Sequence, residues 1–370
     1  VLKILFNFVL FIFSFVISLL LIEFLLPIFN LFQVEYHYFQ YHVPIVQYIY
    51  GKYHKILGNI LTPNLTDVRL NYNGEFCYTV STNSEGFRGD EWDLSSSRKN
   101  IVFLGDSFAM GWGVQWGDTF STVIGNRLDL EDPEYQIINL GQSGFSIDQV
   151  VKSYEVYGEK FSPELVVYLF CFNDVDGDIP EESNGKFDII HFQHWTDESD
   201  FARVAQENNV NRFSLKRTLF GARVVGFYRY VVVPIFSPQS KRWSPVLSYR
   251  ELLPPQPPAQ SLQLDTVKKR YLWYCLEQLW AVVSPRSLIL MDTSHKLAIH
   301  QADSIDSNRW ILRDFARHHP GVNFCDFESH LRNINDGVAR FFPLDDHWNV
   351  EGHISAADLL FKDIKTILNL

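Results

Sequence analysis

Five short, almost uninterrupted apolar runs beyond residue 100 constrain this chain more than anything else in it. They are Asn100–Leu104 (NIVFL), Gln136–Leu140 (QIINL), Leu165–Phe170 (LVVYLF), Ser287–Met291 (SLILM) and Val322–Phe324 (VNF). A strand with one wet face alternates apolar and polar residues; a continuous run requires burial on both faces. Helical patterns fall near 119–128, 147–159, 265–283, 307–318 and 351–369. Strands alternating with helices imply a doubly wound, three-layer α/β fold around a parallel sheet. A hydrophobic content of 46% against 20% charged residues is enough to fill such a core.

Two regions lie outside this pattern. Residues 1–32 are apolar nearly all round, and Ile4–Ile22 is broken only by Asn7, Ser14 and Ser18. Its 19 residues make a helix about 28 Å long, close to the hydrocarbon thickness of a bilayer. No small-residue cleavage site follows, so the expectation is an uncleaved transmembrane anchor. Lys3 precedes the span, Glu23 and Glu35 follow it, and the next basic residue is Lys52. The positive-inside rule then puts the following chain on the extracytoplasmic side, a periplasm in a cell that has one. An aromatic-rich juxtamembrane segment, residues 33–82, leads to the main domain at 83–370. The second region, 176–262, is too long for an ordinary crossover; its Pro-rich end reads as an extended connector. It is expected to be a partly helical cap or insertion.

Four segments carry chemistry. Three begin where an expected strand ends, the edge at which open α/β sheets build their sites. In IVFLGDSFAMGWG, Ser107 follows a strand through Gly105 and could present its hydroxyl, although serine before a helix is also a common cap. Its own N–H would lie at a helix start, where donors are unpaired. In INLGQSGFS, Gly144 lets backbone approach a ligand closely. In YLFCFNDVDGD, Asn173 offers a side-chain amide and Asp174 could brace the turn. In FPLDDHWNVEGH, His347 has Asp345 and Asp346 just before it. A base needs one imidazole nitrogen on the nucleophile and the other on a carboxylate, and a local Asp-x-His supplies that link. Nucleophile, oxyanion donors and base thus occur together, as a serine acyl-transfer enzyme requires.

These blocks resemble the SGNH/GDSL hydrolase family over about residues 83–173 and again over 285–365. The lead-in NSEGFRG before KNIVFLGDSFAMGWGV is similar to a bacterial, membrane-anchored branch. The resemblance implies a flavodoxin-like α/β/α sandwich of strand order 2-1-3-4-5. It also implies Ser107 as nucleophile, His347 as base and Asp345 as its carboxylate, with Asp346 left open. Ser107, Gly144 and Asn173 would form the oxyanion hole, with no metal or organic cofactor. Three positions depart from the family pattern: Phe108 replaces the Leu of Gly-Asp-Ser-Leu, Cys171 replaces the Gly of the third block, and Leu344 stands where Asp-x-x-His would need Asp.

Other function classes fit less well. A net charge of −11 disfavours nucleic acid. No Gly-x-x-x-x-Gly-Lys loop occurs, and Cys77, Cys171, Cys275 and Cys325 form no Cys-x-x-Cys pair. The close pairs His191/His194, His318/His319 and His347/His353 match no ligand pattern and read as solvated histidines. The expected partner is an acyl-ester substrate, with an envelope polysaccharide or lipid suggested by the membrane setting. An O-acyltransferase and a catalytically inactive scaffold are the alternatives.

Overall fold

A computed structural model describes residues 52–72, 76–175, 179, 182–183, 186–187, 266–300, 309–343 and 345–370, together with seven helical residues between 6 and 18. The chain divides into two compact units, one of residues 1–47, 71–76 and 204–254, the other of 48–70, 77–203 and 255–370. The second holds the five-stranded sheet and Ser107, Gly144, Asn173, Asp345 and His347. Most of the expected anchor and most of the 176–262 insertion lie outside the described residues. Among the described residues no helix is long and apolar enough to cross a membrane.

The five apolar runs form one sheet. Its strands are β1 (Lys99–Gly105), β2 (Tyr135–Asn139), β3 (Leu165–Phe170), β4 (Ser287–Asp292) and β5 (Val322–Cys325). All pairings are parallel, in the order β5-β4-β3-β1-β2, which is 2-1-3-4-5 from the opposite edge. Every residue of β3 is buried. The helices are α1 (Ser107–Met110), α2 (Phe120–Glu131), α3 (Ile147–Val156), α4 (Thr266–Val283), α5 (Lys296–His300), α6 (Arg309–His318), α7 (Phe327–Asn333) and α8 (Val350–Leu368).

Strand side chains alternate strictly between two cores, as period-two geometry requires. Val102, Leu104, Val166, Tyr168, Leu288 and Leu290 pack into one, with the buried faces of α3, α4 and α6. Ile101, Phe103, Val167, Leu169, Ile289 and Met291 pack into the other, under α2, α7 and α8. The sheet is therefore the middle of three layers. The helices reach it through stripes at helical spacing, such as Leu272, Cys275, Leu276, Leu279 and Val283 on α4. From the juxtamembrane segment, Lys52–His54 pairs antiparallel with Gly58–Ile60, and Leu57 and Ile60 join the first core. Within the insertion, Glu182–Ser183 pairs with Lys186–Phe187, and Phe187 packs edge-on against Tyr271 of α4.

Candidate active site

At the carboxyl end of β1 the chain turns sharply into α1. Gly105 has φ +148, and a Cβ there would lie 2.8 Å from the Leu169 carbonyl and 2.9 Å from the Ala109 Cβ. Only glycine fits that backbone and that space. Asp106, not Ser107, caps α1: its carboxylate accepts the Phe108 N–H at 2.9 Å. Ser107 is thus the first helical residue, and its N–H is one of the donors a helix start leaves without an intrahelical partner. The turn that follows α1, at 111–114, is braced by Arg88 of the NSEGFRG lead-in. Its guanidinium donates to the carbonyls of Val114 (2.7 Å), Thr79 (3.0 Å) and, through a short contact, Gly111.

The base arrives from the far end of the chain. Ser107 Oγ lies 2.6 Å from His347 Nε2 across a sequence separation of 240 residues. On the other side of the ring, His347 Nδ1 is 2.5 Å from Asp345 Oδ1. The same oxygen accepts the His347 backbone N–H at 2.8 Å. The loop is fixed at both flanks. The Phe342 N–H donates to the His347 carbonyl, the Trp348 indole to the Thr293 carbonyl, and Asn349 caps α8 through the Gly352 N–H. The rings of Phe108 and Trp112 cover the imidazole at centroid distances of 4.7 and 5.8 Å.

Charge at this centre is organised around His347. Burial pushes its pKa down, but the Asp345 charge and hydrogen bond, with Asp106 and Asp346, outweigh that and raise it. Burial pushes the Asp345 carboxyl up, and His347 more than reverses the shift, so Asp345 is lowered. The two directions agree, as an imidazolium–carboxylate pair requires. Asp346 points elsewhere, with its carboxylate 3.4 Å from both His295 Nε2 and Lys296 Nζ. Burial raises Asp106, partly offset by His347.

The two other expected donors sit on neighbouring turns. Gly144, exposed at φ +74, lies beyond β2 in a loop tied to the nucleophile turn. There Gln142 N–H donates to the Gly105 carbonyl at 3.1 Å and Asn139 to the Ala109 carbonyl at 2.8 Å. Asn173 is exposed on a single 3₁₀ turn beyond β3, whose Leu169 is in register with Gly105. Beneath it, buried Asp174 accepts the Tyr168 hydroxyl at 2.6 Å and the Cys171 N–H at 3.0 Å. A cavity of about 300 Å³ elsewhere in the same unit is lined by Arg88, Trp92, Arg98, Trp116 and Asp129, and none of the candidate residues borders it.

The expectation of solvated histidines fails at His353, which is 1% exposed and accepts the Phe120 N–H through Nδ1 at 3.3 Å. The α8 helix turns it inward beside the buried Gly352 and Ala356. His318, in contrast, is exposed, and residues 191 and 194 lie outside the described residues.

No family model and no curated protein matches the chain. Among solved structures it is similar to a member of the lipolytic protein G-D-S-L family from Veillonella parvula. That match has 12% identity and a TM-score of 0.40, and covers 71% of this chain and 97% of that one. A lipase/acylhydrolase from Enterococcus faecalis has 13% identity, a TM-score of 0.41 and coverage of 72% and 96%. A Clostridium thermocellum family 3 carbohydrate esterase has 13% identity, a TM-score of 0.40 and coverage of 74% and 98%.

Proposed function

We propose that this chain is a serine-dependent esterase with Ser107 as nucleophile, His347 as base and Asp345 as its orienting carboxylate. The observation that supports it is the continuous hydrogen-bond line Asp345 Oδ1–His347–Ser107 Oγ, with both links at 2.6 Å or less. Ser107 Oγ attacks the ester carbonyl while its proton passes to His347 Nε2. Asp345 holds the Nδ1 proton and stabilises the imidazolium. The oxyanion is received by the N–H groups of Ser107 and Gly144 and by the Asn173 amide, each such donor contributing about 10²–10³ in turnover. Collapse expels the alcohol, which takes the proton from His347. Water then attacks the acyl-enzyme by the same route and releases the acid. The anchoring role of residues 1–32 and the extracytoplasmic placement of the domain belong to this proposal, and make a surface lipid or polysaccharide ester the natural substrate.

The test is release of p-nitrophenol from acetyl and longer acyl esters by the full chain and by Ser107→Ala, with fluorophosphonate labelling of both. Turnover and labelling should vanish together in a variant of unchanged circular dichroism. Retained turnover in Ser107→Ala refutes the assignment. Labelling without hydrolysis would instead favour acyl transfer to a hydroxyl acceptor, and absence of both in folded wild type would favour the scaffold reading.

A further inference from the structure

The loop that carries the base is gripped by a buried lysine from a distant helix. Lys296 opens α5 just beyond β4 and is 7% exposed. Its ammonium donates to the Asp345 carbonyl through a short contact and to the Pro343 carbonyl at 3.3 Å. It also lies 3.4 Å from the Asp346 carboxylate. These partners belong to residues 343–346, the stretch that sets the Asp345 carboxylate against His347. A buried ammonium is retained only where it is paired and hydrogen-bonded. Left alone beside Asp345 it would compete with the imidazolium for that carboxylate. Asp346 supplies the balancing charge, and His295 flanks it at 3.4 Å while packing edge-on against Phe172 of the Asn173 turn.

We propose that Lys296 is a positioning residue that clamps the 343–347 loop, with Asp346 as its counter-charge, so that together they set the basicity of His347. The proposal rests on the esterase reading for its catalytic consequence, but its electrostatic half does not. The charged groups that face His347 are Asp345 and Asp346 on its own loop and Asp106 at the head of α1. Lys296 faces both loop carboxylates. His353 of α8 senses the charges of both His347 and Arg88. Removing the Lys296 charge therefore strengthens the hold of the carboxylates on the imidazolium, whereas neutralising Asp346 weakens it.

The decisive measurement is the His347 titration midpoint by NMR in the full chain labelled at the histidine ring carbon, its signal assigned by its loss in His347→Gln. Lys296→Met should move the midpoint up and Asp346→Asn should move it down, each by on the order of one pH unit for a charge several ångströms away. Lys296→Arg should restore the wild-type midpoint. Where esters are turned over, Lys296→Met should lower kcat by up to about 10²-fold at unchanged KM, the cost of a misplaced base. Midpoints that stay put in both variants, or move the same way, overturn the proposal. Should Lys296→Met fail to fold, Asp346→Asn and Lys296→Arg still decide it. Absent turnover in wild type would refute the esterase reading alone, because the NMR midpoints are read without substrate.

Discussion

His353 ties the stability of the catalytic half of the fold to pH. Its ring lies parallel to Phe120 at 6.1 Å, meets Trp348 edge-on at 5.5 Å, and uses Nδ1 as an acceptor for the Phe120 N–H. A proton on Nδ1 would destroy that bond and bury a charge. Burial, with the positive charges of Arg88 and His347, accordingly lowers its pKa from 6.5 to about 3. The unfolded chain takes up this proton near pH 6.5 and the folded chain only near 3, so the unfolded state binds more protons between them. Stability from this group is thus complete above pH 6.5 and is lost as pH falls towards 3. At 1.36 kcal/mol per unit, the loss is about 2 kcal/mol between pH 7 and 5, and about 3 kcal/mol by pH 4. His347 runs the other way, since its raised pKa contributes stability below 6.5 that is lost as pH rises through the folded value. Carboxylates add their own slopes. Urea unfolding of wild type and His353→Gln at pH 7, 5 and 4 subtracts both, leaving the His353 contribution as the difference in slope. The glutamine can still accept the Phe120 N–H, and the variant should lose about 2 kcal/mol less than wild type on going to pH 5. Parallel pH dependences in the two proteins would refute the argument.

Two further outcomes follow from the site geometry. Asp345→Asn keeps the loop shape but favours the wrong imidazole tautomer. It should lower kcat by about 10⁴-fold in the p-nitrophenyl ester assay, whereas the same change at Asp346 should act mainly on the pH profile. Gly105→Ala forces a Cβ against the Leu169 carbonyl at a φ of +148. It should cost about 2–4 kcal/mol, read as a fall in Tm of roughly 5–10 °C by calorimetry, with turnover lost beyond the stability effect because Ser107 is displaced.

The sheet was legible because its strands are buried on both faces: LVVYLF can hardly be anything else when preceded by Pro163 and followed by a polar turn. Helix bodies were legible for the same periodic reason, and their ends shifted by a few residues, as at α2, which runs to Glu131 rather than 128. Ser107, Asp345 and His347, which the structure places in one hydrogen-bond line, were singled out by the resemblance of their blocks, while local spacing alone left Asp345 and Asp346 equally open as the acid. What spacing could not supply depends on how the layers dock. That Asp106 caps α1 in place of Ser107, that Arg88 holds the turn at 111–114, and that Lys296 reaches the base loop are all contacts between segments far apart in sequence. His353 went unread as a core residue for a related reason. A histidine next to a polar loop looks solvated until the rotation of α8 is known. A signal did exist: it lies three residues before Ala356 and seven before Leu360, on the apolar stripe.

The single Asp345 oxygen that binds both the ring and the backbone of His347 has a consequence for how this domain can vary. Acid and base form a self-contained chelate two residues long, and the choice of tautomer is settled inside it. Long excursions such as 176–262, which supply neither Lys296 nor any partner of the base loop named above, can therefore change length or sequence without re-tuning the proton acceptor. The demand on such an excursion is geometric: it must let α8 seat on the sheet at the depth that brings Nε2 to Oγ. A chain built this way can remodel what it recognises while leaving its reactive centre alone.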